Sequence, residues 1–190
     1  MDSYFELKAI PDPELLQSEI LAQLMQATHG LMPAYEGRVG VSFPGYGQSR
    51  TLGGILRLHG KDVDLQKLQS QLKEQPVIRS YALVTDVGAI PSKIHDFGIF
   101  KRLHIKGGSD IRRLINRHKK RGTWTEELEA AITTKYSQAT ICPHLKLKSS
   151  STGQASFLLF VKREIQKKAS ENMEFGSYGL SKAGSAVPLF

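Results

Sequence analysis

The chain has 190 residues, of which 40% are hydrophobic and 23% charged. That is an ordinary globular balance, enough for one large domain or two small ones sharing a core. No apolar run approaches the ~18 residues that cross a bilayer. The opening MDSYFELKAI lacks the pattern of a signal peptide, and a single cysteine, Cys142, excludes an internal disulfide and suits a reducing compartment. The expectation is a cytoplasmic protein with no membrane contact. Its net charge of +8 and pI of 9.6 point to nucleic acid as the partner.

Tyr4 to Ile10 alternates as a strand. Pro11-Asp12-Pro13 makes a turn, with Asp12 placed to cap a helix whose first position is Pro13. Leu16, Ile20, Leu21, Leu24 and Ala27 then recur at helical spacing, and Gly30 after His29 is expected as the left-handed stop. Arg38 to Phe43 and Ile55 to His59 read as strands. Asp62 or Asp64 opens a second helix with Leu65, Leu68 and Leu72 on one face, and Ser80 to Val87 reads as a further strand. The order βαββαβ is the ferredoxin-like pattern, an antiparallel sheet with two helices on one face. The expected class is α+β, with residues 1–93 as the ferredoxin-like domain and 94–190 as a C-terminal RNA-binding domain.

Past Pro91, Phe97 to Ile105 alternates weakly as a strand. Residues 101–121 carry nine of the basic residues and a single acid, Asp110, so the segment holds a charge of +8 and the remainder of the chain is neutral. Concentration of the whole net charge in about a ninth of the sequence marks a binding element. A helix is expected over about 109–121. At ~100° per residue, Arg112, Arg113, Asn116, Arg117 and Lys120 fall within an arc of ~140°, with Ile111, Leu114 and Ile115 opposite and His118 toward the apolar side. Planar guanidinium groups suit phosphate and guanine edges. A solvated charged face is the other reading, but such faces usually mix signs. Thr125 starts another helix, Leu145 to Lys148 and Phe157 to Lys162 read as strands around the turn SSSTGQ, and the Gly/Ser-rich tail ends in apolar residues that pack back on the fold.

Cofactor and metal motifs are absent. The six histidines form no HExxH or HxH pair and have no carboxylate cluster beside them. There is no Walker-type glycine loop, and neither RVGVSF nor ILRLH carries the aromatic pattern of an RRM sheet. On pattern alone, His29 caps helix carbonyls, SSSTGQ is a polar turn, and Phe157 and Tyr178 are packed aromatics.

A family resemblance adds to these readings. Pro11-Asp12-Pro13-Glu14, the helix ending in His29, Val39-Gly40-Val41-Ser42-Phe43-Pro44, Arg102 in the basic strand, Arg112-Arg113-Leu114 with Arg117-His118, Ser151-Thr152-Gly153-Gln154 and Tyr178-Gly179-Leu180-Ser181-Lys182 occur in order, nearly end to end. In this the chain resembles the CRISPR repeat-RNA endoribonucleases of subtype I-F, the Csy-type processing nucleases.

The resemblance implies a metal-independent endoribonuclease that needs no cofactor. It binds the hairpin of the CRISPR repeat in precursor RNA and cuts at the 3′ base of the stem. The upstream 2′-hydroxyl attacks, giving a 2′,3′-cyclic phosphate and a 5′-hydroxyl. The enzyme then stays on the mature crRNA with the other subunits of a type I-F surveillance complex. In the implied site His29 is the catalytic histidine, Ser149 its partner serine, Ser151 a neighbour in the same loop and Tyr178 the tyrosine that holds the histidine. Phe157 stacks under the last base pair of the stem. Arg102 and His104 read the bases at its foot, His104 standing where the family's type member has glutamine. Arg112, Arg113, Asn116, Arg117, His118 and Lys120 face the RNA from the helix, Asn116 where arginine is usual. Such chemistry requires a group that titrates near neutrality, which histidine supplies. The competing reading is an RNA-hairpin binding module without catalysis; a ribosomal-type structural protein would scatter its charge along the chain.

Overall fold

The computed structural model describes residues 1–104, 108–137, 142–148, 156–170 and 173–190. They form two compact units, residues 1–102 together with 143–190, and residues 103–142. The architecture mixes helices with antiparallel sheet, the α+β class.

In the larger unit, strands β1 (Ser3–Ala9), β2 (Gly40–Ser42), β3 (Ile55–Gly60), β4 (Ala82–Val84) and the short β5 (Gly88–Ala89) build one sheet. Its order is β2-β3-β1-β4, with β5 also paired to β1. The register sets Phe5 against Leu58 and Leu7 against Leu56. Those four side chains are fully buried, as expected where one sheet face meets helices. Helices α1 (Gln17–Leu31), α2 (Asp62–Lys73) and α3 (Pro76–Tyr81) complete the layer. A second sheet has the order β7-β8-β6-β9, from β6 (Asp96–Leu103), β7 (His144–Leu147), β8 (Phe157–Gln166) and β9 (Val187–Leu189). One core serves both sheets: Leu21, Leu24 and Met25 of α1 join Phe43, Phe100, Leu145, Leu147 and Leu159 in it. The tail does pack back, since β9 pairs with β6.

Three local expectations are corrected. The first helix begins at Gln17, not Pro13. Asp12 Oδ1 accepts from the backbone N–H groups of Glu14 and Leu15, closing a separate turn. The Glu19 carboxylate then takes the Leu16 N–H, half of a capping box, and the helix starts there. Gly30 does not stop it. The helix runs on into a 3₁₀ turn, Met32–Tyr35, because Met32 and Tyr35 are drawn into the core, and the left-handed residues are Glu36 and Gly37. The strand expected over Ser80 to Val87 is shortened to β4, Ala82–Val84, because helix α3, opened by Pro76 at its first position and anchored by buried Ile78, runs through Ser80 and Tyr81.

The sheet face away from the helices is closed by the tail. Arg57 forms a buried ion pair with Glu6 at 2.8 Å and lies 4.0 Å from the Phe190 ring centre. Beneath them His59 is fully buried, its Nε2 2.8 Å from Ser42 Oγ. Burial, and secondarily the Arg57 charge, push its pKa down to about 3.

In the smaller unit, α4 (Gly108–Lys120) and α5 (Glu126–Ser137) are joined by a turn at Gly122, which is left-handed. Thr125 Oγ accepts from Leu128 N–H and caps α5, near the expected start. Among the described residues no helix is long and apolar enough to cross a membrane. The expected end of β6 at Ile105 and the SSSTGQ turn lie outside the described residues.

Candidate active site

The site starts from a glycine. Gly179 has φ +67°, and a Cβ there would stand 2.5 Å from Val41 Cγ1 and 2.9 Å from Met32 Cε, so only glycine fits. The turn around it is held at every exit. Gly176 donates to Leu180 O and Gly179 to Gly176 O, while Val41 of β2 donates to Gly179 O and Ser181 to Phe100 O of β6. Such a turn presents Ser177 and Tyr178 in fixed positions.

His29 meets them from the last turn of α1. Its Nδ1 is 2.8 Å from the carbonyl oxygen of Ser177. A carbonyl can only accept, so Nδ1 carries the proton and in the neutral ring Nε2 keeps its lone pair. The ring lies flat on Tyr178, with centroids 3.8 Å apart and planes 8° from parallel. Two restraints of different kinds, an in-plane hydrogen bond and a face-to-face contact, hold the imidazole. Nδ1 is thus spent on a distant loop rather than on carbonyls of its own helix. Tyr178 is half-buried; burial pushes its pKa up, and the Arg102 charge pulls weakly the other way.

The aromatic line continues outward. Phe157, the first residue of β8, meets Tyr178 edge-on with centroids 6.4 Å apart. The Arg102 guanidinium of β6 stands 5.4 Å from the Phe157 ring centre. The structure therefore brings together His29, Tyr178, Phe157 and Arg102, from α1, the tail, β8 and β6. Ser149 and Ser151 lie outside the described residues. His104 is exposed, just after β6. Sequence reasoning missed Ser177. Its contribution is a backbone carbonyl, which any residue type could supply, and the only hint was its place before Tyr178.

Helix α4 is amphipathic. Ile115 is buried and Ile111 and Leu114 half-buried, while Arg112, Arg113, Asn116, Arg117 and Lys120 are exposed. His118 is half-buried, with Nδ1 3.0 Å from Thr123 Oγ, so it sits on the side the wheel assigned. Lys119 turns toward α5, 4.8 Å from the Trp124 ring centre and 3.8 Å from the Glu129 carboxylate. Among the described residues no three of His, Cys, Asp and Glu are grouped to hold a metal ion.

Comparison with known proteins bears on this arrangement. A "CRISPR-associated endonuclease Cas6/Csy4" of Escherichia coli (strain UTI89 / UPEC) is 34% identical over 192 aligned residues, covering the whole of both chains. A protein of the same name from Pseudomonas aeruginosa (strain UCBPP-PA14) is 31% identical over 194, again across both chains. The model of the CRISPR-associated protein family Cas_Csy4 matches residues 4–190, a span that takes in His29, Tyr178, Phe157, Arg102 and the whole of α4. With that match and those two relatives, the chain belongs to the Cas_Csy4 family of CRISPR-associated proteins.

Proposed function

We propose that the protein is a metal-independent endoribonuclease that binds the repeat hairpin of precursor CRISPR RNA and cuts at the 3′ base of the stem. The observation that carries this reading is the His29 imidazole, its Nδ1–H committed to Ser177 O and its face to Tyr178, which leaves Nε2 as a positioned base. Nε2 takes the proton of the 2′-hydroxyl upstream of the cut. The 2′-oxygen bonds to phosphorus, the bond from phosphorus to the 5′-oxygen breaks, and that oxygen leaves as a 5′-hydroxyl after gaining a proton. The upstream fragment keeps a 2′,3′-cyclic phosphate. Because the RNA supplies its own nucleophile, the step needs no activated water.

The other residues take supporting roles. Ser149, with Ser151 beside it, holds the 2′-hydroxyl in line. Phe157 offers a platform for the last base pair, and Arg102 and His104 contact the bases at the stem's foot. Arg112, Arg113, Asn116, Arg117, His118 and Lys120 make the helical RNA surface. Residues 1–93 form the ferredoxin-like half, supported by the strand order β2-β3-β1-β4, and 94–190 the RNA-binding half. After cleavage the protein stays on the crRNA as a subunit of a cytoplasmic type I-F surveillance complex.

The test is incubation with the host's own repeat RNA in EDTA. The expected products are a 2′,3′-cyclic phosphate and a 5′-hydroxyl, with no cleavage when the attacking nucleotide is 2′-deoxy. Cleavage of the deoxy substrate, or 5′-phosphate ends that need added Mg²⁺, refutes the mechanism. Tight binding without any cleavage leaves a hairpin-binding protein instead.

A further inference from the structure

A groove of about 640 Å³ runs between one flank of α1 and β7, the edge strand of its sheet. That is ample for a small ligand or a short run of nucleotides. Its apolar lining comes from half-buried Ala27 and Val77; its wall carries the amides of Gln23 and Gln26; and exposed Lys146 and Lys148 stand at its rim. Gln26 Oε1 is buried with no hydrogen-bond partner among the described residues. Neither lysine is in an ion pair among them. The acid in the lining, Glu19, is already engaged with the Leu16 N–H.

This mosaic matches single-stranded RNA. Apolar linings take base faces, amides pair with base edges in either sense, and lysines take phosphates. Position adds direction. Gln26 and Ala27 line the groove within one turn of His29 on α1, whereas Tyr178, Phe157 and Arg102 do not line it. With the stem's foot over Phe157 and Arg102 and the scissile phosphate at His29, the strand reaching the groove is the one downstream of the cut.

We infer that the groove between α1 and β7 binds the single-stranded RNA that follows the cleavage site, with bases against Ala27 and Val77 and phosphates against Lys146 and Lys148. The inference rests on the nuclease reading above.

The test uses the full chain and three RNAs: the stem ending at the cut, the same stem with about six further 3′ nucleotides and a 2′-deoxy block, and the stem with a 5′ extension. The 3′-extended RNA should bind roughly tenfold more tightly than the bare stem, with a salt slope steeper by about 1.4, from two phosphates at ~0.7 each on a single strand. Lys146→Glu with Lys148→Glu should abolish both gains and leave bare-stem affinity unchanged. Equal affinity for bare and 3′-extended stems overturns the inference and hands the groove to a protein partner. So does a gain from the 5′ extension alone, a gain that survives charge reversal, or loss of bare-stem binding in the double variant. Failure of the nuclease reading is distinct: it shows as no cleavage of the repeat RNA in EDTA, whether or not the bare stem binds.

Discussion

Replacing Tyr178 separates what its ring does from what its hydroxyl does. The imidazole of His29 lies 3.8 Å from the Tyr178 ring centre at 8°, a full face contact. An aromatic pair of this kind contributes ~0.5–1.5 kcal/mol beyond simple burial. If that energy holds the imidazole in its productive plane, removing it lowers the cleavage rate ~2- to 13-fold, at 1.36 kcal/mol per factor of ten. Tyr178→Ala should fall in that range, and Tyr178→Phe, which keeps the ring, should cut at close to the wild-type rate. His29→Ala, by contrast, removes the base and should cost ~10²–10⁴ with binding intact. Single-turnover cleavage of labelled repeat RNA at saturating protein, resolved on a gel, reads all three. If Tyr178→Phe is as slow as His29→Ala, the hydroxyl takes part in the chemistry and the stacking argument fails.

Alanine at Arg112, Arg113 and Arg117 together should weaken hairpin binding and flatten its salt dependence by up to ~0.9 for each phosphate no longer neutralised; an unchanged slope places the RNA elsewhere. Gly179→Ala forces a Cβ to within 2.5 Å of Val41 and a left-handed alanine, so it should destabilise the fold by ~1–3 kcal/mol and slow cleavage by displacing the Ser177 carbonyl. A melting temperature equal to wild type contradicts this. His59 has a depressed pKa of about 3 in the fold against 6.5 ordinarily. Its stabilisation is complete above pH 6.5 and is lost as pH falls toward 3, with a slope of up to ~1.4 kcal/mol per pH unit. Denaturant unfolding of His59→Gln between pH 4 and 6 should show a shallower acid dependence, and an unaltered slope would remove His59 as its source.

What could be read locally in this chain is what local physics decides. The amphipathic periodicity of α2, the alternation of β1 and the one-sided charge of α4 each depend on neighbours a few residues apart, and each is legible in the residues themselves. The start of α1 was displaced because Asp12 had two backbone donors within reach, and the local pattern did not say which turn it would close. Gly30 and the start of the strand expected at Ser80 were misread because burial of Met32, Tyr35 and Ile78, a property of the assembled core, outweighed local preference. His29 itself was conspicuous only through family motifs. Its partner is the carbonyl of Ser177, 148 residues away, and no side-chain pattern can announce a backbone acceptor. The tertiary structure alone decided that pairing, because the turn around Gly179 is held between β2 and β6, and only when both sheets have closed on one core does Ser177 come within hydrogen-bond reach of α1.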